Sequence, residues 1–408
     1  MQLSLEKTLS VKIESVKMLM FITFSTLFFM ALTIHIAFSG RVFYNEFGHH
    51  LEFAQRMEES GRILLPHFSF HAMTIAVHQV VVSIAPSLAL GSDDPYVDNS
   101  WLVSCLIVLG VVCALTIFLL KRYLARTIRS DYLAMAIAFS LLIVQPIFAF
   151  APIDHRYYLG YFTPNIYVIP TQTLLKLTTI ALFMMTPLLF KKGVSWLTIA
   201  LVMVLVIANG LSKPNYLILM MPALIIMASI EIYKKRQINY AVFAAMLVSG
   251  ATVLVWQFIF KFINAENLIY QSSIAVTKPF DVLSTLSDYA PEKIILSIVF
   301  PLYVVIAFRR EASKDREIIF SWILFLLGAS YAIFLAETGP AKYSGNFLWS
   351  PQIANFVLFA ASARFLFTRI PQDFAKLDRR TAAAVSIFAI HLLCGIFYYV
   401  RSFTHTFA

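Results

Sequence analysis

FSFHAMTIAVHQVVVSIAPSLAL, residues 68–90, decides the topology of everything that follows it. At about 1.5 Å per residue the segment is long enough to cross a hydrocarbon core of about 30 Å. It sits in a chain of 408 residues with a mean hydropathy of +0.78, 37 Phe and 13% charged residues. No soluble core hides that much apolar surface, so an all-α, polytopic integral membrane protein is expected. Eleven other apolar runs, at 18–38, 101–120, 132–150, 169–190, 194–209, 216–232, 240–260, 294–308, 318–336, 350–367 and 381–400, read as spans. If 68–90 also crosses, every later loop changes sides.

Charge distribution decides between the two arrangements. With 68–90 kept outside, the inner loops hold 20 Lys and Arg and the outer loops 10, with Lys176 and Arg364 inside spans. If the segment crosses, the two totals exchange, against the tendency of Lys and Arg to stay cytoplasmic. KRYLARTIR (121–129), YKKRQ (233–237), RREASKDRE (309–317) and LDRR (377–380) carry most of the bias. The expected protein is a single transmembrane domain, 1–408, of about eleven helices, with its N-terminus cytoplasmic and its C-terminus periplasmic. Residues 18–38, preceded by Lys7, Lys12 and Lys17, read as an uncleaved anchor. No Asn-x-Ser/Thr acceptor occurs, which favours a bacterial inner membrane. Cys105, Cys113 and Cys394 lie in apolar runs and read as small buried hydrophobes, not as a disulfide or zinc set. The net charge of +10 belongs to the inner loops, where it can meet membrane lipids, and implies no nucleic acid.

The first outer loop, 39–99, holds five of the nine histidines. At about 100° per residue, His67, His71, Thr74 and His78 fall in a stripe about 60° wide on an apolar helix, a pattern suited to an interface. Upstream, NEFGHHLEFAQRMEESGR (45–62) is a second amphipathic stretch, with Phe47, Leu51 and Ala54 on one face. GSDDPYVDNS (91–100) follows as an acidic linker.

One span, then a long outer loop with two interfacial helices and an acidic residue near its beginning in YNEFGHH (44–50), then many further spans: this order resembles the GT-C superfamily of membrane glycosyltransferases. The resemblance implies transfer of a sugar from a polyprenyl-phosphate donor to a glycan or lipid acceptor, with Glu46 as the base. LGYFTPNIYVIPTQTLLK (159–176) and ETGPAKYSGNFLW (337–349) also look like motifs of bacterial surface-polysaccharide membrane proteins. A related polysaccharide polymerase, a lipid-linked glycan flippase or transporter, and a scaffold of an assembly complex stand as alternatives.

Each candidate residue has a plain reading beside the functional one. A base role for Glu46 calls for burial that raises its pKa; otherwise it complements a helix dipole. His49, His50, His67, His71 and His78 could face a divalent metal, since His67 and His71 are one turn apart. No metal motif such as HExxH accompanies them, and no cofactor is expected. As plain groups they can bond a substrate phosphate or hydroxyl, or lipid headgroups. Asp154, His155 and Arg156 put an acid, a proton carrier and a phosphate-matching fork at one span end, with Tyr157, Tyr158 and Tyr161 placed to stack on sugars or to sit in an aromatic belt. Lys176, inside a span, needs a partner: Glu337, Asp154 or a donor phosphate. Lys213 precedes Pro214 at a break between spans, where irregular backbone tends to line a cavity. Glu337, Lys342, Asn346 and Trp349 lie in a tight Gly- and Pro-bearing loop, able to bond and stack on a sugar. The loop 261–293 offers no specific chemistry.

Overall fold

The computed structural model describes residues 2–38, 46–90, 99–167, 169–263, 273–371 and 377–404. Most of the acidic linker, 91–98, and parts of two other loops, 39–45 and 264–272, lie outside the described residues. The fold is an all-α, polytopic membrane architecture. Its main helices are α1 (Gln2–Phe38), α2 (Glu46–Ser60), α3 (Ser69–Ile84), α4 (Asn99–Leu124), α5 (Asp131–Leu141), α6 (Pro170–Phe183) and α7 (Trp196–Ser212). They continue with α8 (Asn215–Tyr233), α9 (Tyr240–Phe258), α10 (Ala290–Leu296), α11 (Val299–Ala307), α12 (Arg316–Phe334), α13 (Trp349–Phe367) and α14 (Arg379–Arg401). One antiparallel ribbon pairs β1 (Ile274–Val276) with β2 (Leu335–Glu337).

Among the described residues, seven helices are long and apolar enough to cross a bilayer, or eight if α10 and α11, bent by 57°, form one broken span. The expected count of eleven is therefore not established. Three of the expected spans fall short for physical reasons. α7 has 17 residues, and α5 stops at Leu141, shortly before Pro146, whose ring and missing N–H end a helix. α13 has ample length but is wrapped by protein, and so tolerates Gln352, Asn355 and Arg364.

The backbone beyond α5 shows how a broken helix survives away from water. Asn165 donates to the carbonyls of Leu141 and Val144 at 3.0 and 2.9 Å. The N–H of Gln145 donates to the His391 carbonyl at 3.1 Å, and the His391 ring bonds the Gln145 carbonyl at 2.6 Å. Asn355 of α13 donates to the carbonyls of Phe162 and Ser297, at 2.6 and 3.1 Å, at two further helix breaks. These buried amides replace missing helical bonds, as irregular backbone in hydrocarbon requires. Gly395 of α14 lets the unwound strand close: a Cβ there would lie 1.9 Å from the Ile143 oxygen.

α3 packs on α2 and on the start of α4. Its first turns lie beside His50 and Thr171, and His78 stacks on Trp101 with centroids 3.8 Å apart. The helix thus stays at the end of the bundle where α4 begins, and does not reach the end where Lys121 pairs with Asp131 at 2.6 Å. Those two extremes of α4 are called here the histidine end and the arginine end. The stripe on α3 turns inward, with His71 and Thr74 fully buried. His67 precedes the helix, His71 meets His50, and His78 meets Glu58, Ser100 and Trp101.

Candidate functional site

At the histidine end, α2 carries Glu46 on its exposed first turn and buries Phe47, Leu51 and Ala54 against Trp101 and Cys105 of α4. That packing orients His50, one turn from Phe47 and Ala54, toward α3 and α6. Its Nδ1 lies 3.0 Å from Nε2 of His71, and its Nε2 lies 3.3 Å from the Thr171 hydroxyl. A neutral imidazole has one donor and one acceptor, so Thr171, His50 and His71 form a chain through which a proton can be handed.

Burial depresses these histidines. The His50 pKa lies well below the ordinary range, first through desolvation and then through the charges of His71, Lys213 and His67. Desolvation alone takes His71 to about 4. His67 is lowered to about 3, by burial and then by Lys213 and His71. Near pH 7 all three are neutral hydrogen-bonding groups and not fixed cations.

Lys213 supplies the positive charge. It follows α7, held in extended backbone before Pro214, and its ammonium lies 4.3 Å from the centre of the Trp349 ring. No carboxylate lies within ion-pair distance of it among the described residues. Burial lowers its pKa to about 8, and the charge of Glu46 pulls the other way. Tyr158 stacks against the other side of this region, its ring centroid 6.4 Å from Trp349, and desolvation raises its hydroxyl pKa so that it stays protonated. Glu46, His50, His67, His71, Lys213, Tyr158 and Trp349 therefore share one electrostatic neighbourhood, drawn from five stretches of the chain.

Other expected residues lie elsewhere. Glu46 is exposed, so the burial expected of a base is absent. His49 points outward beside Glu52, at 4.0 Å. Asp154 accepts from Lys293 at 2.5 Å and from the Ser287 hydroxyl at 2.6 Å. Burial opposes its ionisation, but these bonds and the Arg156 N–H together hold its pKa below the usual range. Arg156 gives its carbonyl to Lys293 at 3.1 Å and is otherwise exposed, while His155 is an exposed left-handed cap on a short helical turn. The cluster staples two loops.

Lys176 meets neither of its expected partners. It donates to Asn165 Oδ1 at 2.9 Å and lines a cavity of about 60 Å³ with Cys113, Thr116 and Tyr167. Glu337 is instead bonded by Lys261. Lys342 pairs with Asp281 at 2.8 Å, and Asn346 is exposed, giving its carbonyl to Asn215. Sequence reasoning missed Thr171, Lys261 and Lys293. The fully buried Lys293 sits in a segment whose polar composition reads as an ordinary loop. No group of three or more metal-ligating side chains occurs among the described residues. No protein-family model matches the chain, and no curated protein matches it.

Proposed function

We propose that the chain is a membrane glycosyltransferase that works at its histidine end, with that end facing the periplasm of a bacterial inner membrane and the N-terminus in the cytoplasm. The donor is a sugar on polyprenyl phosphate, and the acceptor is a glycan or lipid hydroxyl. What carries the reading is Lys213, a half-buried cation with no carboxylate in ion-pair range among the described residues, close to an indole face and to neutral histidines.

A free cation of this kind has unspent capacity for an anion. Trp349 and Tyr158 offer aromatic faces for a sugar ring. Glu46 is exposed where an acceptor can approach, and is close enough to act on the charge of Lys213. It takes the proton from the acceptor hydroxyl as the hydroxyl oxygen bonds to the anomeric carbon, without the burial that would strengthen it as a base. The bond from that carbon to the phosphate oxygen breaks, and the electron pair leaves with polyprenyl phosphate. Lys213 and a neutral His67 N–H stabilise the charge that develops there, an effect worth about 100- to 1000-fold in rate for a single donor. Using a second lipid-linked saccharide as the acceptor would make the same chemistry a polymerisation.

The test is sugar transfer in membranes from a polyprenyl-phosphate donor. Replacing Glu46→Gln should lower transfer by about 100-fold or more, as loss of a general base does. Unchanged transfer removes Glu46 from the mechanism, and no transfer by the parent protein with any such donor removes the reaction.

A further inference from the structure

The arginine end contains a larger cavity, of about 580 Å³, lined by Arg236, Lys314, Arg316 and Arg364 together with Asp315 and Glu317. Its volume falls within the range of small-molecule sites. The hydrogen-bonding capacity around it is lopsided. Asp315 uses one oxygen on the N–H groups of Glu317 and Ile318, at 3.0 and 3.1 Å, and the other on Arg364 at 2.5 Å. Glu317 accepts from the Tyr123 hydroxyl at 2.6 Å and lies 2.9 Å from Arg364 Nε. Glu231, buried behind the wall, takes Arg316 at 2.5 Å and Arg236 at 3.5 Å.

Both contacts of Glu317 use Oε2, so once these bonds are made its Oε1 is left among several remaining donors. Lys314 is exposed and has no carboxylate in reach among the described residues. The buried Nε–H of Arg316 has no acceptor there either. The contact from Arg236 to Glu231 is long enough to leave its guanidinium largely unspent. Pro187, Leu189, Phe190, Met227 and Phe320 give the cavity an apolar wall, which meets the charged one where the Arg316 guanidinium lies 4.2 Å from the centre of the Phe190 ring.

The surface around this end shows at what level the cavity lies. Trp196, Tyr233 and Tyr240 are strongly exposed at the start of α7, the end of α8 and the start of α9. Exposed Trp and Tyr at helix ends mark the headgroup layer. We infer that this cavity binds a phosphate-bearing anion, with Arg236, Lys314 and Arg316 on the phosphate and the Phe190 side against an apolar tail. The occupant fitting both walls is an anionic phospholipid; a soluble phosphate ester would share only the charged half.

The purified full-length protein can be titrated with phosphatidylglycerol in phosphatidylcholine nanodiscs, with bound lipid counted by native mass spectrometry. The double variant R236Q/K314Q removes two donors and leaves the pairs of Arg364 and Arg316 in place. Its affinity should fall about tenfold or more, the size expected for losing hydrogen bonds to a charged group. K192Q, outside the cavity, should bind as the parent does, and R236K/K314R should largely restore binding. Displacement of the lipid by millimolar inorganic phosphate would assign the site to soluble phosphate; resistance would assign it to the lipid. Equal affinity in the parent and in the folded, monodisperse double variant overturns the inference.

Discussion

The two ends of the bundle handle charge in opposite ways. At the arginine end, most of the charge is paired: Arg364 faces the partly buried Asp315 and Glu317, and the buried Glu231 holds Arg316 closely and Arg236 loosely. At the histidine end, burial strips the imidazoles of charge and leaves Lys213 against Trp349 with no carboxylate in ion-pair range among the described residues. The first arrangement spends most of its charge on holding helices together and leaves the Arg236 and Lys314 side free for a ligand. The second keeps a cation and neutral donors in reserve, which is the condition of a site that expects an anion.

If this contrast is right, substitutions at the two ends dissociate stability from activity. Arg364→Met leaves two partly buried carboxylates facing each other and should cost about 3–5 kcal/mol, read as a lower melting temperature in detergent, with transfer per folded molecule preserved. Lys213→Gln should do the reverse: melting within error of the parent, and sugar transfer reduced about 100-fold. A large melting shift for Lys213→Gln, or none for Arg364→Met, breaks the comparison.

Acidity sharpens it. Lys213 is protonated below its pKa of about 8, so donor binding should be strongest below that value and weaken as pH rises through it. The expected sign is a KM for donor that climbs above pH 8. Stability has the other dependence. His71 has a pKa near 6.5 unfolded and about 4 folded, so between those values the unfolded chain binds more protons. Folding is favoured above pH 6.5, and stability should fall as pH drops from 6.5 toward 4, a slope that His71→Gln should reduce. The smallest effect belongs to Lys342→Gln. Its half-exposed pair with Asp281, largely screened by solvent, should be replaceable with little change in melting or transfer.

What could be read in advance follows from periodicity and charge, both local properties. The stripe from His67 to His78 and the buried face of α2 are helical patterns, and the basic loops argued that α3 stays at one end. The break in the helices at Lys213 is legible because Pro214 stands beside it. The direction of the stripe was not legible, because an interfacial helix and a helix packed on α4 share the same pattern. Nor were the partners of the buried ions: Lys293 and Asp154 lie 139 positions apart, and Lys261 and Glu337 lie 76 apart. No local spacing encodes such pairs. The unwound stretch after α5 was hidden for a related reason, since its carbonyls are satisfied by Asn165 and His391 from distant segments.

The central claim is that Lys213 holds the phosphate of a polyprenyl-linked donor. The direct measurement is the affinity of purified protein for polyprenyl phosphate in nanodiscs, comparing the parent, Lys213→Gln and Lys342→Gln. The account predicts binding by the parent and by Lys342→Gln, and at least a tenfold loss in Lys213→Gln, the scale of a lost charged hydrogen bond. Equal affinity for all three proteins would contradict it.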